Sequence, residues 1–217
     1  MKEHIIKIEN LTRWYDMGQN IFDRFNFQLD KWDFCFLTGK SWVGKTTLVK
    51  FLLRQLTPPH KMIFYKNEDL SRYDDDEVQL YRRNLWVVFQ DYKIVDNQTA
   101  EENILLPLNI TNEPIDQEHI KKILEILKIS DKKDTLCRYL SWWEKQRVSI
   151  ARALASNPEF IIADEPTGNL DRDNTTAIVD TLIELNKSGH TILFITHDQK
   201  LIEYCRERYD NVRVVEL

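Results

Sequence analysis

Alternating apolar and polar positions, with short continuous apolar runs, predict strands near 4–9, 21–29, 33–38, 61–65, 85–89, 159–163, 191–196 and 211–216. Apolar residues at helical spacing predict helices near 45–56, 74–83, 99–108, 116–128, 144–156, 171–187 and 198–206. Strands alternate with helices at both ends of the chain, which argues for a largely parallel sheet with helices on its faces, whereas 90–156 reads as almost all helix. The pattern is that of an α/β fold: a core of about 1–89 and 157–217 with an antiparallel β edge, and an inserted α-helical subdomain of about 90–156. The run Asp74-Asp75-Asp76-Glu77 reads as the negatively charged first turn of a helix, favoured by the helix macrodipole.

Composition narrows the class. The 217 residues, 42% hydrophobic and 30% charged, suit one globular domain. Apolar stretches such as Phe160-Ile161-Ile162-Ala163 fall far short of the roughly 20 residues that cross a bilayer. The start of the chain has no apolar export core, so a cytoplasmic location is expected. Cys35, Cys137 and Cys205 are far apart and odd in number, which fits reduced core thiols. A formal charge of -5 argues against a general nucleic-acid binder. Only five residues are glycine, against a usual share of about 7%, while six are tryptophan.

The chemistry begins after the strand near Phe34-Cys35-Phe36-Leu37. Gly39-Lys40-Ser41-Trp42-Val43-Gly44-Lys45-Thr46 satisfies G-x-x-x-x-G-K-[ST] between a strand and a helix, the context the motif requires. In such a loop, backbone N–H groups point at phosphate oxygens and the helix N-terminus backs them. Lys45 would reach the β- and γ-phosphates, Thr46 would offer its hydroxyl to Mg²⁺, and Thr47 is the next polar group on the helix. Further on, the apolar run Phe160–Ala163 ends in Asp164 and Glu165. Two carboxylates on a buried strand are costly unless a cation meets them. The nucleotide's Mg²⁺ is the natural one, with Asp164 orienting it and Glu165 polarising the attacking water.

With these residues the chain resembles the ATP-binding subunits of ABC transporters from about residue 4 to its C-terminus. Leu140-Ser141-Trp142-Trp143-Glu144 and the helix after it look like the family's signature stretch. The resemblance implies that Ser141 to Glu144 bind the nucleotide held by a second copy, so that two chains close head to tail on two ATP molecules. It also implies that Tyr15 stacks on adenine and that Gln90 touches Mg²⁺ and water. Gly168-Asn169-Leu170-Asp171 would cross the dimer interface, and His197 would contact the γ-phosphate and hold Glu165 in register. The stretches from Val87 to Ile94 and from Ala163 to Asp171 are similar to the family's cell-division branch, FtsE-like. That likeness implies an FtsX-like integral membrane partner and a location on the cytoplasmic side of the membrane. Relatives that drive lipoprotein release or macrolide export share most of these residues.

One departure is chemical. The family's signature has two glycines where this chain has Trp142 and Trp143. Glycine serves where backbone approaches a ligand closely, whereas an indole of about 200 Å² fills that space. Trp32, Trp42 and Trp86 also stand where the family commonly has glycine. Five such coincidences among six tryptophans arise by chance about once in 10⁵ trials at the usual glycine frequency. The reading that follows is a gene whose UGA codons mean glycine, translated as if they meant tryptophan. If Trp142 and Trp143 are genuine, the alternative is a catalytically inactive nucleotide-binding module.

Overall fold

The computed structural model describes residues 3–14, 20–39, 44–210 and 212–217. Every predicted strand and helix is present. The strands are β1 (His4–Trp14), β2 (Asn20–Asp30), β3 (Phe34–Thr38), β4 (Ile63–Tyr65), β5 (Glu68–Asp69), β6 (Leu85–Phe89), β7 (Phe160–Asp164), β8 (Thr191–Ile195) and β9 (Arg213–Glu216). The helices are α1 (Lys45–Leu52), α2 (Asp75–Arg83), α3 (Ala100–Thr111), α4 (Gln117–Ile126), α5 (Trp142–Ala155), α6 (Arg172–Lys187) and α7 (Gln199–Arg208).

Five strands make one parallel sheet in the order β6-β7-β8-β3-β9. The antiparallel strands form a sheet of their own, β2-β1-β4-β5. The continuous apolar runs have a simple cause: both faces of the parallel sheet are buried. Phe34, Phe36, Ile161, Ala163, Ile192 and Phe194 face one core, shared with α3 to α6. Their neighbours Cys35, Leu37, Phe160, Ile162, Leu193 and Ile195 face the other, shared with α1 and the antiparallel sheet. Truncating a fully buried ring such as Phe194 to alanine is expected to cost about 3–5 kcal/mol.

Local signals set the helix starts. Asp74 accepts from the Glu77 N–H at 2.9 Å while Glu77 accepts from the Asp74 N–H at 2.9 Å, a capping box that confirms the acidic first turn of α2. Helix α5 begins two residues before the predicted 144, because Ser141 and Glu144 form the same reciprocal cap. Helix α1 stops at Leu52, short of the predicted 56: Arg54 turns left-handed (φ 54°), and the Arg54 and Gln55 N–H groups donate to the Phe51 and Lys50 carbonyls. That is a Schellman stop with arginine in the usual glycine position.

The turn from β2 to β3 bears on the tryptophans. The Asp33 N–H donates to the Asp30 carbonyl at 3.0 Å, and Trp32, third in this turn, has φ 67°. A positive φ there is the demand that glycine meets without strain. The Trp32 side chain is 63% exposed, so burial offsets little of that strain. The three cysteines are free and buried, and burial pushes the Cys137 and Cys205 thiols up to about 11 and 12. No helix is long and apolar enough to cross a membrane among the described residues.

Candidate nucleotide site

The ends of β3, β6, β7 and β8 meet at the carboxyl edge of the parallel sheet, where open α/β sheets bind their ligands. Strand β3 delivers Thr38 and Gly39, and α1 starts just beyond at Lys45. Gly44 caps α1 with φ 110°, and a Cβ there would collide with Ile21 and the Phe22 ring. Glycine is therefore required at 44 by conformation and by space. Strand β7 delivers Asp164 and Glu165, β8 delivers His197, and Gln90 follows β6 beside them, with Phe89 in register with Asp164.

These groups converge. Lys45 Nζ donates to the Gly39 carbonyl at 2.7 Å and lies 3.6 Å from Glu165 Oε1. His197 Nδ1 is 2.7 Å from the same carboxylate oxygen. Glu165 sits at φ 47°, its N–H donating to the Ile195 carbonyl, so the backbone turns out of the sheet at the residue whose carboxylate faces both partners. Burial, then the Glu165 charge, pushes the Asp164 carboxyl up to about 6, with Lys45 pulling the other way. Such a shift marks a site short of positive charge.

The donor set fits a magnesium-bound nucleotide. Asp164, the Thr46 hydroxyl and the Gln90 amide supply oxygen donors, and Mg²⁺ typically takes one or two protein carboxylates with phosphates and water completing its shell. Among the described residues no group of three or more His, Cys, Asp or Glu could hold a metal unaided.

The sequence-predicted residues fall into two groups. Gly39, Gly44, Lys45, Thr46, Thr47, Gln90, Asp164, Glu165 and His197 lie around the sheet edge. Ser141, Trp142, Trp143 and Glu144 form the start of α5. Among the described residues no hydrogen bond, ion pair or ring contact joins them to Lys45, Asp164, Glu165 or His197. Glu144 is buried and turned back into its own helix, accepting from the Ser141 N–H at 2.8 Å and its hydroxyl at 2.6 Å, with Lys132 at 3.6 Å. Trp142 is 67% exposed, 6.0 Å from the Tyr92 ring, and Arg147 lies over the Trp143 ring at 5.2 Å. Tyr15, Lys40, Ser41, Trp42 and Val43 lie outside the described residues.

Three residues support the site in ways the sequence motifs do not assign, Asn169 among them although it lies in the predicted interface loop. Gln199 donates to Thr38 Oγ1 at 3.2 Å across the edge. Asn169 Nδ2 donates to the Gln90 carbonyl at 3.2 Å. Arg152, buried on α5, donates to the Tyr92 and Lys93 carbonyls at 2.7 Å each. An arginine set among Ile150, Ala151, Ala153 and Leu154 is the signal that could have flagged the last.

The family model described as ABC transporter matches residues 22–168. The chain belongs to the ABC transporter family. As an ABC cassette it is an ATPase. It is 31% identical over 206 residues, covering 94% of this chain and 90% of the relative, to the cell division ATP-binding protein FtsE of Bacillus subtilis. It is also 33% identical over 205 residues to the methionine import ATP-binding protein MetN of Mannheimia succiniciproducens, covering 92% of the cassette and 59% of that relative. A dimeric post-hydrolysis structure of the ATP-binding cassette MJ0796, bound to ADP and Pi, superposes with a TM-score of 0.79 at 30% identity, covering 98% of this cassette and 94% of that chain.

Proposed function

We propose that this cassette is the ATP-binding and ATP-hydrolysing subunit of a membrane complex, FtsE-like, that works as a head-to-tail homodimer with an FtsX-like membrane partner. The observation that carries the reading is Glu165 held between Lys45 and His197 at the sheet edge. Bound Mg²⁺ would neutralise phosphate charge, held by Asp164, Thr46 and Gln90. Lys45 releases Glu165 and takes up the phosphates. His197 then keeps Glu165 aimed at water, and the carboxylate orients and polarises that water for attack. Tyr15 stacks on adenine, and Lys40 to Val43 complete the phosphate loop with Gly39, Gly44 and Thr47. Ser141 to Glu144 of the second copy close the far side.

That closure conflicts with Trp142, whose exposed indole stands on the first turn of α5. The reading therefore includes glycine in the cell at positions 32, 42, 86, 142 and 143, through UGA codons. The left-handed backbone of Trp32 supports this independently of the signature stretch.

A membrane partner is favoured by a groove between β6 and α3 walled by Phe89, Leu106, Pro107 and Ile110, about 540 Å³ with Trp86 in place and wider with glycine at 86. Ile110 is 72% exposed on its rim, and Gln90 follows directly from Phe89. An amphipathic helix from a permease-like protein suits such a groove. FtsE and MetN relatives match at similar identity, and ATPase subunits for lipoprotein release or macrolide export share the same motifs. A neighbouring gene for a protein with four spans and a large external loop would favour the cell-division partner.

The test compares the chain as written with one carrying glycine at the five positions. The five-glycine chain should release phosphate from ATP, and its Glu165→Gln variant should form ATP-dependent dimers on size exclusion. UGG codons at 142 and 143 would sink the glycine reading. Absence of ATP binding by both chains would sink the function.

A further inference from the structure

Gly168 has no conformational reason to be glycine, since its backbone is not in the left-handed region. What it has is a neighbour. A Cβ built there would stand 2.7 Å from Gln90 Nε2, 3.2 Å from its Cδ and 3.5 Å from its Cγ. The Gln90 side chain lies across the bare α-carbon, while Asn169, the next residue, holds the Gln90 carbonyl at 3.2 Å. Gly168 is itself fixed to the catalytic strand, its N–H donating to the Glu165 carbonyl at 3.2 Å.

We propose that Gly168 is a positioning residue: its missing side chain is the seat that sets the Gln90 amide beside Asp164 and Glu165. The chain joins the seat to Glu165 through Pro166 and Thr167, closed by that backbone bond. The position of the amide is thus referenced to the residue that acts on water. The proposal rests on the reading of Gln90 as a contact to Mg²⁺ and water. It adds what holds that amide in place.

A methyl at 168 meets only the free end of a flexible side chain, so it displaces Gln90 without disturbing the fold. The experiment is a double-mutant cycle in the full chain, reading the gain in ATP affinity when Mg²⁺ is added, with Tm measured alongside. Gly168→Ala should keep its Tm and its Mg²⁺-free ATP affinity while losing on the order of tenfold of the Mg²⁺ gain. Gln90→Ala should lose a similar factor, and adding Gly168→Ala to it should cost nothing more. A normal Mg²⁺ gain in Gly168→Ala beside a lost one in Gln90→Ala overturns the seat. A further loss in the double variant also overturns it, because Gly168 would then act by another route. An unchanged Mg²⁺ gain in Gln90→Ala removes the underlying reading of Gln90, and the seat with it.

Discussion

At the carboxyl edge of the parallel sheet, Lys45 and His197 share one oxygen of Glu165, and Asp164 keeps a carboxyl pushed up to about 6. At the start of α5, Ser141 and Glu144 complete a capping box, and Lys132 answers the Glu144 charge. The first region sets two adjacent carboxylates, Asp164 and Glu165, against the single Lys45. In the second, burial of Glu144 is offset so well by these bonds that its carboxyl sits below the ordinary carboxylate range. The contrast teaches where a ligand is needed. The sheet edge gains by taking up a charged nucleotide, whereas the α5 terminus gains little locally and can serve only as a surface presented to something else. The two indoles on that surface sit comfortably in the single chain, against Tyr92 and Arg147, and conflict only with the proposed closure on a second copy.

Trp142→Gly with Trp143→Gly, in the chain already carrying the other three glycines and Glu165→Gln, should switch ATP-dependent dimerisation from absent to present on size exclusion. The ATP affinity of the single chain should stay within about twofold, because among the described residues no contact joins Trp142 or Trp143 to Lys45, Asp164, Glu165 or His197. An affinity change as large as the dimer effect would contradict the separation of the two regions. Next, Lys45→Ala should weaken ATP binding about a hundredfold, near 2.7 kcal/mol, by titration calorimetry.

The third concerns pH. A folded carboxyl at about 6 against an ordinary 3.8 means that folding favours the protonated form of Asp164. Its contribution to stability is full below about pH 4 and is lost as pH rises through 6. Mg²⁺ needs the ionised form, so the Mg²⁺ gain in ATP affinity should fall towards tenfold per pH unit below about 6. Asp164→Asn should remove that component, and an identical slope in the variant would refute it. Fourth, Ser141→Ala should lower stability by about 1 kcal/mol through the cap, read by urea unfolding. The smallest effect is Trp32→Gly, expected to raise stability by about 0.5–1 kcal/mol as left-handed strain is relieved, partly offset by unfolded-chain entropy. A drop in Tm would mean that the turn accepts tryptophan without strain.

Much of this was legible in the chain. The doubly buried strands wrote themselves as apolar runs, and Gly39 to Thr46 with Asp164 and Glu165 announced the sheet-edge chemistry. What was not legible has physical reasons. Strand β5 is two residues long and too short for any period. The end of α1 was missed because Arg54, not glycine, takes the left-handed position. The start of α5 is legible as Ser141 followed three residues later by Glu144, a capping-box spacing that the two tryptophans between them do not disturb. The contacts of Gly168 with Gln90 and of Arg152 with Tyr92 span 78 and 60 positions (168 minus 90, 152 minus 92), and no local pattern encodes them.

Arg152 ties the segment after Gln90 to α5. Tyr92 and Lys93, whose carbonyls it holds, are both in the left-handed region (φ 57° and 49°). A conformation that residues of this kind adopt at a cost is kept in place by a buried cation with two strong bonds. The segment after Gln90 and α5 should thus open together, as one unit on the time scale of amide exchange. In deuterium labelling, amides at 91–94 would be protected to the depth of the helix they are tied to, although the segment has no secondary structure of its own.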